Sequence, residues 1–287
     1  MSQFTNYGEN KIADLFRAEG ITLPDNWYLA PLSAASDSSV TEITGLGLSR
    51  FSMARSLTNW SGTQGPGTTI ASVGSSHATS NNIAVPLGTA SGSGTLAAIG
   101  LFDAAVDGNC WMVWRLETPL SFGADDDVEF AAAAIKFTFG LSGGVSNYLS
   151  NKLIDLLFRF QPYTFPVTLW HALYVTPPSN AGGGSEVGGG VGYARASLVC
   201  SLANVCGTQG AGTTVASSGT SGRIANNIAV THPAPSGPWG VCTHGGWKDA
   251  SSGGELLFWR ELDAPITPTL GSPAPSYAAD QFEIIIA

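Results

Sequence analysis

Alternation of apolar and polar side chains is the main signal along the chain. Ile135, Phe137 and Phe139 are separated by Lys136 and Thr138, the period of two that sends one set of side chains to one face of a strand. Short runs of this kind, bounded by Gly, Ser, Asn and Asp, predict many strands with tight turns between them. Asp107-Gly108 ahead of Trp111 to Leu116 predicts a hairpin, and so does Ser252-Gly253-Gly254 ahead of Leu256 to Glu261, because glycine supplies the positive φ of tight turns. Helical spacing appears twice. Ile12, Leu15 and Phe16, and later Leu153, Leu156 and Leu157, fall at i, i+3 and i+4, one apolar stripe that must pack against a sheet. Asn6 followed three residues later by Glu9 has the form of an N-cap with its reciprocating acid.

The pattern occurs twice. Gly62-Thr63-Gln64-Gly65-Pro66-Gly67-Thr68-Thr69 returns as Gly207-Thr208-Gln209-Gly210-Ala211-Gly212-Thr213-Thr214, and at the same spacing Asn81-Asn82-Ile83-Ala84-Val85 returns as Asn226-Asn227-Ile228-Ala229-Val230. Trp114-Arg115 returns as Trp259-Arg260. Nearer the start of each copy the spacing is slightly shorter: Asn6-Tyr7, Asn10-Lys11 and Asp14-Leu15 match Asn147-Tyr148, Asn151-Lys152 and Asp155-Leu156. The difference is expected in loops, Ser33 to Thr44 in the first copy and the glycine-rich Pro177 to Gly190 in the second. The fold class that follows is mainly β: two tandem β-sandwich or jelly-roll-like domains, residues 1–140 and 141–287, each opening with a short N-terminal α-helix.

Composition narrows the function. Only 11% of residues are charged, against roughly 25% in ordinary soluble domains. A surface of small neutral residues loses little on desolvation and suits burial against neighbouring subunits. A net charge of −9 without a Lys/Arg run speaks against nucleic acid as a partner, since phosphates are bound by displacing counterions with basic groups. No apolar stretch is long enough for a membrane span, and the first residues have neither the basic nor the apolar region of a secretory signal. A chain made in the cytosol and soluble is therefore expected. Cys110, Cys200, Cys206 and Cys242 lack metal or redox spacing and read as reduced core thiols.

Candidate chemistry is sparse. Asp125-Asp126-Asp127 lacks the spaced oxygens of a calcium loop and reads as a solvated turn. Gly140-Leu141-Ser142-Gly143-Gly144 satisfies G-x-S-x-G between a strand and a helix, and Asp155 followed by His232 or His244 would complete the order of a hydrolase triad. The motif, however, lies where a connector is expected, in a chain without the β/α alternation that hosts such a nucleophile. The histidines, His77, His171, His232 and His244, are not repeated between copies and read as isolated polar positions. No catalytic residue, metal ligand or cofactor is assigned. Trp114 and Trp259, matched within strands, read as core. Trp60, Trp239 and Trp247, near glycine-rich turns, are the candidate contacts to a partner or a sugar.

Several segments resemble a known family. Asn6-Tyr7-Gly8-Glu9-Asn10-Lys11 with Leu15-Phe16, Tyr28-Leu29-Ala30, Ala54-Arg55, Tyr193-Ala194-Arg195 and Gly100-Leu101-Phe102-Asp103-Ala104 are similar to tailed-bacteriophage virion proteins commonly labelled capsid decoration or tail fibre proteins. Members usually carry one unit, so this chain resembles two fused copies. The resemblance implies a structural protein of the virion, oligomeric in the assembled particle, whose partners are the major capsid protein or tail proteins. Low charge and duplication put capsid decoration ahead of a tail fibre that binds a receptor or glycan. Leu149-Ser150 stand in place of Gly8-Glu9, and Gly246-Trp247-Lys248 where the first copy has Leu101-Phe102, so the two copies are expected to make different contacts.

Overall fold

The computed structural model describes residues 2–139 and 144–286. In the first repeat the elements are β1 (Ser2–Phe4), α1 (Asn6–Leu15), β2 (Asn26–Ala35), β3 (Val40–Glu42), β4 (Phe51–Ala54), β5 (Ala78–Ser80), β6 (Val85–Thr89), β7 (Gly94–Phe102), β8 (Cys110–Phe122), β9 (Asp127–Phe130) and β10 (Lys136–Thr138). The second repeat follows the same order with β11 (Gly144–Val145), α2 (Asn147–Phe158), β12 (Thr168–Thr176), β13 (Ser185–Glu186), β14 (Ala196–Val199), β15 (Arg223–Ala225), β16 (Val230–Thr231), β17 (Cys242–Lys248), β18 (Leu256–Ile266), β19 (Ser276–Tyr277) and β20 (Glu283–Ile285).

Each repeat has one six-stranded antiparallel sheet, β1-β8-β7-β2-β3 with β4 also on β2, and β11-β18-β17-β12-β13 with β14 on β12. Two short ladders, β5–β10 and β6–β9 in the first repeat and β15–β20 and β16–β19 in the second, form a facing layer. Val85, Leu87, Val128 and Phe137 from that layer share one apolar cluster with Leu29, Leu101 and Trp111 of the main sheet, the packing of a sandwich. The period-two reading of β10 is realised: Ile135, Phe137 and Phe139 are buried while Lys136 and Thr138 are exposed. Both expected hairpins form, β7 with β8 and β17 with β18.

Three local expectations are corrected. The cap of α1 is Thr5, not Asn6: the Thr5 hydroxyl accepts from the Gly8 amide at 3.3 Å, and Ser146 does the same for Leu149 at 3.0 Å in α2. Thr5 is held in place because its hydroxyl also donates to the Trp111 carbonyl of β8, so a tertiary contact chose the start of the helix. Ser33 to Thr44 is largely a hairpin of β2 and β3, with Leu32, Ala34 and Ala35 opposite Glu42, Thr41 and Val40. The aromatic assignments are reversed: Trp60, Trp239 and Trp247 are buried at 0%, 4% and 4% exposure, whereas Trp114 and Trp259 are only part-buried.

The two repeats share their main core, beside smaller clusters of their own. The largest apolar cluster runs from Phe4 to Ile286, taking Ile12 and Phe16 of the first helix region together with Leu198, Val205 and Phe258 of the second repeat, and Leu157 and Phe158 of α2 together with Trp27, Trp60 and Phe137 of the first. Phe16 packs edge-on to Phe165 and Phe258, and Phe158 lies against Trp27, Trp60 and Phe137.

Candidate functional site: the reciprocal helix sockets

The residues joining the repeats are those the sequence duplicates most faithfully. In the first repeat, the loop from Trp60 to Gly74 is shaped from within. Gln64 donates to the Ala71 carbonyl at 2.8 Å, the Gly74 amide donates to the Thr63 hydroxyl at 2.8 Å, and Asn82 accepts from the Gly67 amide at 2.8 Å while donating to the Thr68 carbonyl at 3.3 Å. Gln209, Gly219 and Asn227 make the same bonds to Ala216, Thr208, Gly212 and Thr213. Asn81 and Asn226, both buried, bind backbone on three sides and anchor the strand behind each loop. The recurring Gly-Thr-Gln-Gly and Asn-Asn blocks are thus one hydrogen-bonded unit, with donors and acceptors aimed at the backbone that a buried loop must satisfy.

Each loop is a socket for the helix of the other repeat. Into the first socket comes the end of α2. Arg159 donates from Nε to the Trp60 carbonyl at 3.0 Å and from its terminal nitrogens to the carbonyls of Thr68 (3.2 Å) and Ile70 (2.6 Å), to the Ser72 hydroxyl (3.1 Å) and to Asp155 (2.7 Å). Asp155 in turn accepts from the Ser72 amide at 2.8 Å and hydroxyl at 2.6 Å, and Asn151 accepts from Thr63. Into the second socket comes the end of α1. Arg17 donates to the carbonyls of Val205 (3.0 Å) and Thr213 (3.3 Å), to the Ser217 hydroxyl (3.1 Å) and to Asp14 (3.0 Å); Asp14 accepts from the Ser217 amide at 3.0 Å, and Asn10 accepts from Thr208.

Both arginines are buried, at 1% and 0% exposure. A buried guanidinium persists only when its charge is paired and its N–H groups are satisfied; the Asp of its own helix end pairs the charge, and the socket accepts the remaining N–H groups. Gly62 and Gly207 leave the room: a Cβ on either would stand about 3 Å from the incoming guanidinium (3.0 Å from Arg159, 2.9 Å from Arg17). The symmetry is incomplete at one place. Arg55 and Trp27 of the first repeat each donate to the Leu157 carbonyl at the end of α2, both at 2.8 Å, while at the matching positions the second repeat has Cys200 and Leu169.

The other candidates fall into place around this arrangement. Asp155 is committed to Arg159 and Ser72, and none of its hydrogen bonds reaches a histidine. The serine motif, Gly140 to Gly143, lies outside the described residues. Asp125, Asp126 and Asp127 are exposed in a turn closed by the Gly123 amide donating to Asp126. All four cysteines are free, with Cys200, Cys206 and Cys242 buried and Cys110 part-buried; burial pushes the Cys110 thiol up to about 12 and the Cys200 and Cys242 thiols to about 11. Among the described residues no helix is long and apolar enough to cross a membrane.

Two histidines read as isolated are in fact a buried pair. His171 Nδ1 lies 2.9 Å from His232 Nε2, and His232 Nδ1 lies 3.1 Å from the Ala194 carbonyl. The carbonyl can only accept, so His232 carries its proton on Nδ1 and receives one from His171, leaving His171 Nε2 as a buried acceptor without a partner. Gly245 makes the space, since a Cβ there would stand 2.5 Å from His171 Nε2. The second repeat also carries an open cleft of about 460 Å³ lined by Arg260, Pro268, Ser272, Tyr277 and Gln281. In the first repeat the pairing of β7 with β8 runs on through Gly94, Thr95 and Leu96 opposite Phe122, Ser121 and Leu120.

Fold and sockets together define a covalently fused pseudo-dimer of two β domains. The chain belongs to the family described as Podophage GP4 fiber I protein gp80, which matches it twice, over residues 3–138 and again over 144–284. It is therefore a bacteriophage fibre or virion structural protein built from two tandem copies of the family unit. A comparison with curated proteins finds no match.

Proposed function

We propose that this chain is a non-catalytic subunit of a fibre projecting from the virion, in which each fused pair of repeats is one rigid building block that binds other virion proteins. The observation that carries the reading is the double match to a fibre family on a chain whose repeats are locked together by two buried sockets. An appendage under mechanical load must resist hinge motion, and a merged core with two hydrogen-bonded clamps opposes it. The low charge of the chain is in keeping with a surface covered by neighbours. Commitment of Asp155 to the socket, and of His171 and His232 to each other, favours a structural role over hydrolysis. The competing assignment, a decoration protein on the capsid lattice, distributes the chain differently. Gold-labelled antibody on intact virions, with copy number from gel densitometry, is expected to mark discrete appendages at low copy. Label over the whole capsid surface at hundreds of copies would sink the fibre assignment.

A further inference from the structure

The polar half of the contact between the repeats is one contact made twice. Each helix end presents Asn, then Asp, then Phe-Arg: Asn10, Asp14 and Phe16-Arg17, or Asn151, Asp155 and Phe158-Arg159. Each socket answers with a Thr hydroxyl, a Ser amide and hydroxyl, and backbone carbonyls, of Trp60 and Thr68 or of Val205 and Thr213. Carbonyls do not depend on which side chain they carry, and Thr63, Ser72 and Thr68 have identical residues at the matching positions. The socket also tolerates a change of helix length. Asp14 and Arg17 are three residues apart and Asp155 and Arg159 four apart, yet both pairs close the same ion pair and share three matched acceptors, with Arg159 adding the Ile70 carbonyl. A surface bearing both halves of a contact is self-complementary and defines an isologous dimer.

We infer that each repeat is a self-recognising docking module: the socket of one repeat accepts the helix end of any other, so residues 2–139 pair with a second copy of themselves as well as with the second repeat. The covalent link only selects which pairing wins, by raising the local concentration of one partner. The asymmetry at the sockets orders the pairings. A pair of first repeats places Trp27 and Arg55 on both sides to cap the last carbonyls of the incoming helices, while a pair of second repeats, with Leu169 and Cys200, places them on neither.

The test uses the complete chain with a specific protease site replacing residues 140–143, cut after folding and measured by native mass spectrometry. The cut protein is expected to keep the mass of the uncut one. After unfolding in urea and refolding by dilution, pairs of first repeats are expected beside the mixed pair. Arg17→Leu, which removes two socket contacts from the pair of first repeats and one from the mixed pair, is expected to lower the former relative to the latter by roughly a hundredfold. Co-expression of the two halves as separate chains gives the same readout without refolding. Separation into single repeats on cutting, or recovery of the mixed pair alone by both routes, overturns the inference.

Discussion

At the scale of single residues, the second repeat has placed titratable groups where the first has hydrocarbon. His171 occupies the β12 position that Leu29 holds in β2, and His232 answers to Leu87; both leucines and both histidines are buried. Burial first, and the neighbouring ring of His232 second, hold His171 well below the ordinary histidine range; burial likewise lowers His232, against the smaller opposing effects of the Ala194 carbonyl and Glu186. The folded chain therefore keeps the pair neutral while the unfolded chain takes up protons below about pH 6.5, so this pair withdraws stability as pH falls through that value. Glu9, pushed up to about 7 by burial and then Asp37, works in the opposite direction by binding its proton more tightly when folded. Comparison with the double variant His171→Leu, His232→Leu isolates the pair. Urea midpoints of the parent are expected to decline from pH 7 to pH 5 more steeply than those of the variant. Equal slopes would show that the pair does not report on pH.

At the scale of elements, the two helices meet their sheets differently. In α1, Gly8 rests on the backbone of β8, and a Cβ at that position would stand 2.2 Å from the Trp111 carbonyl oxygen and 2.8 Å from the Phe4 ring. In α2 the same position is Leu149, fully buried, so the second helix fills with a side chain the space the first closes by direct approach. Gly8→Ala improves helix propensity but overpacks this contact, and overpacking costs about 1–3 kcal/mol. A fall in thermal midpoint is the expected outcome despite the better helix former, and a rise would mean that α1 can lift off β8 at no cost. The helical stripe Ile12, Leu15 and Phe16 could be read from spacing alone; the residue before it could not be chosen as cap, because Thr5 and Asn6 are both good caps and only the bond from Thr5 to β8 separates them.

At the scale of the molecule, a core that runs through both repeats and two sockets that interlock them predict one cooperative unfolding transition. Arg159→Leu leaves Asp155 buried without its cation, a change that costs about 3–5 kcal/mol. Calorimetry is expected to find the whole transition displaced to lower temperature as a single peak. A split into two peaks, with only one moved, would mean that the repeats unfold independently.

Duplication, strand content, the two helices and the hairpins were all legible in the chain, because periodicity and turn chemistry act over a few neighbours and a copied block is visible as a string. The same string gave no account of why Gly-Thr-Gln-Gly and Asn-Asn-Ile-Ala-Val were copied so closely. Nor could it tell which tryptophans were inside: Trp60, Trp239 and Trp247 sit beside flexible-looking glycine turns, yet rings distant in sequence pack on them, Phe137 and Phe158 on Trp60, Tyr193 and His232 on Trp239, Phe258 and Phe282 on Trp247, whereas Trp114 and Trp259 are only part-buried on their strands. Phe16-Arg17 and Phe158-Arg159 were the overlooked signal, an identical pair at the end of each helix with a cation that no local residue fully satisfies. Local order is thus a property of the sequence itself. The crossing of each helix into the other repeat was decided by tertiary structure, since a buried arginine finds enough acceptors only where residues about two hundred positions away in one case, and about ninety in the other, close around it.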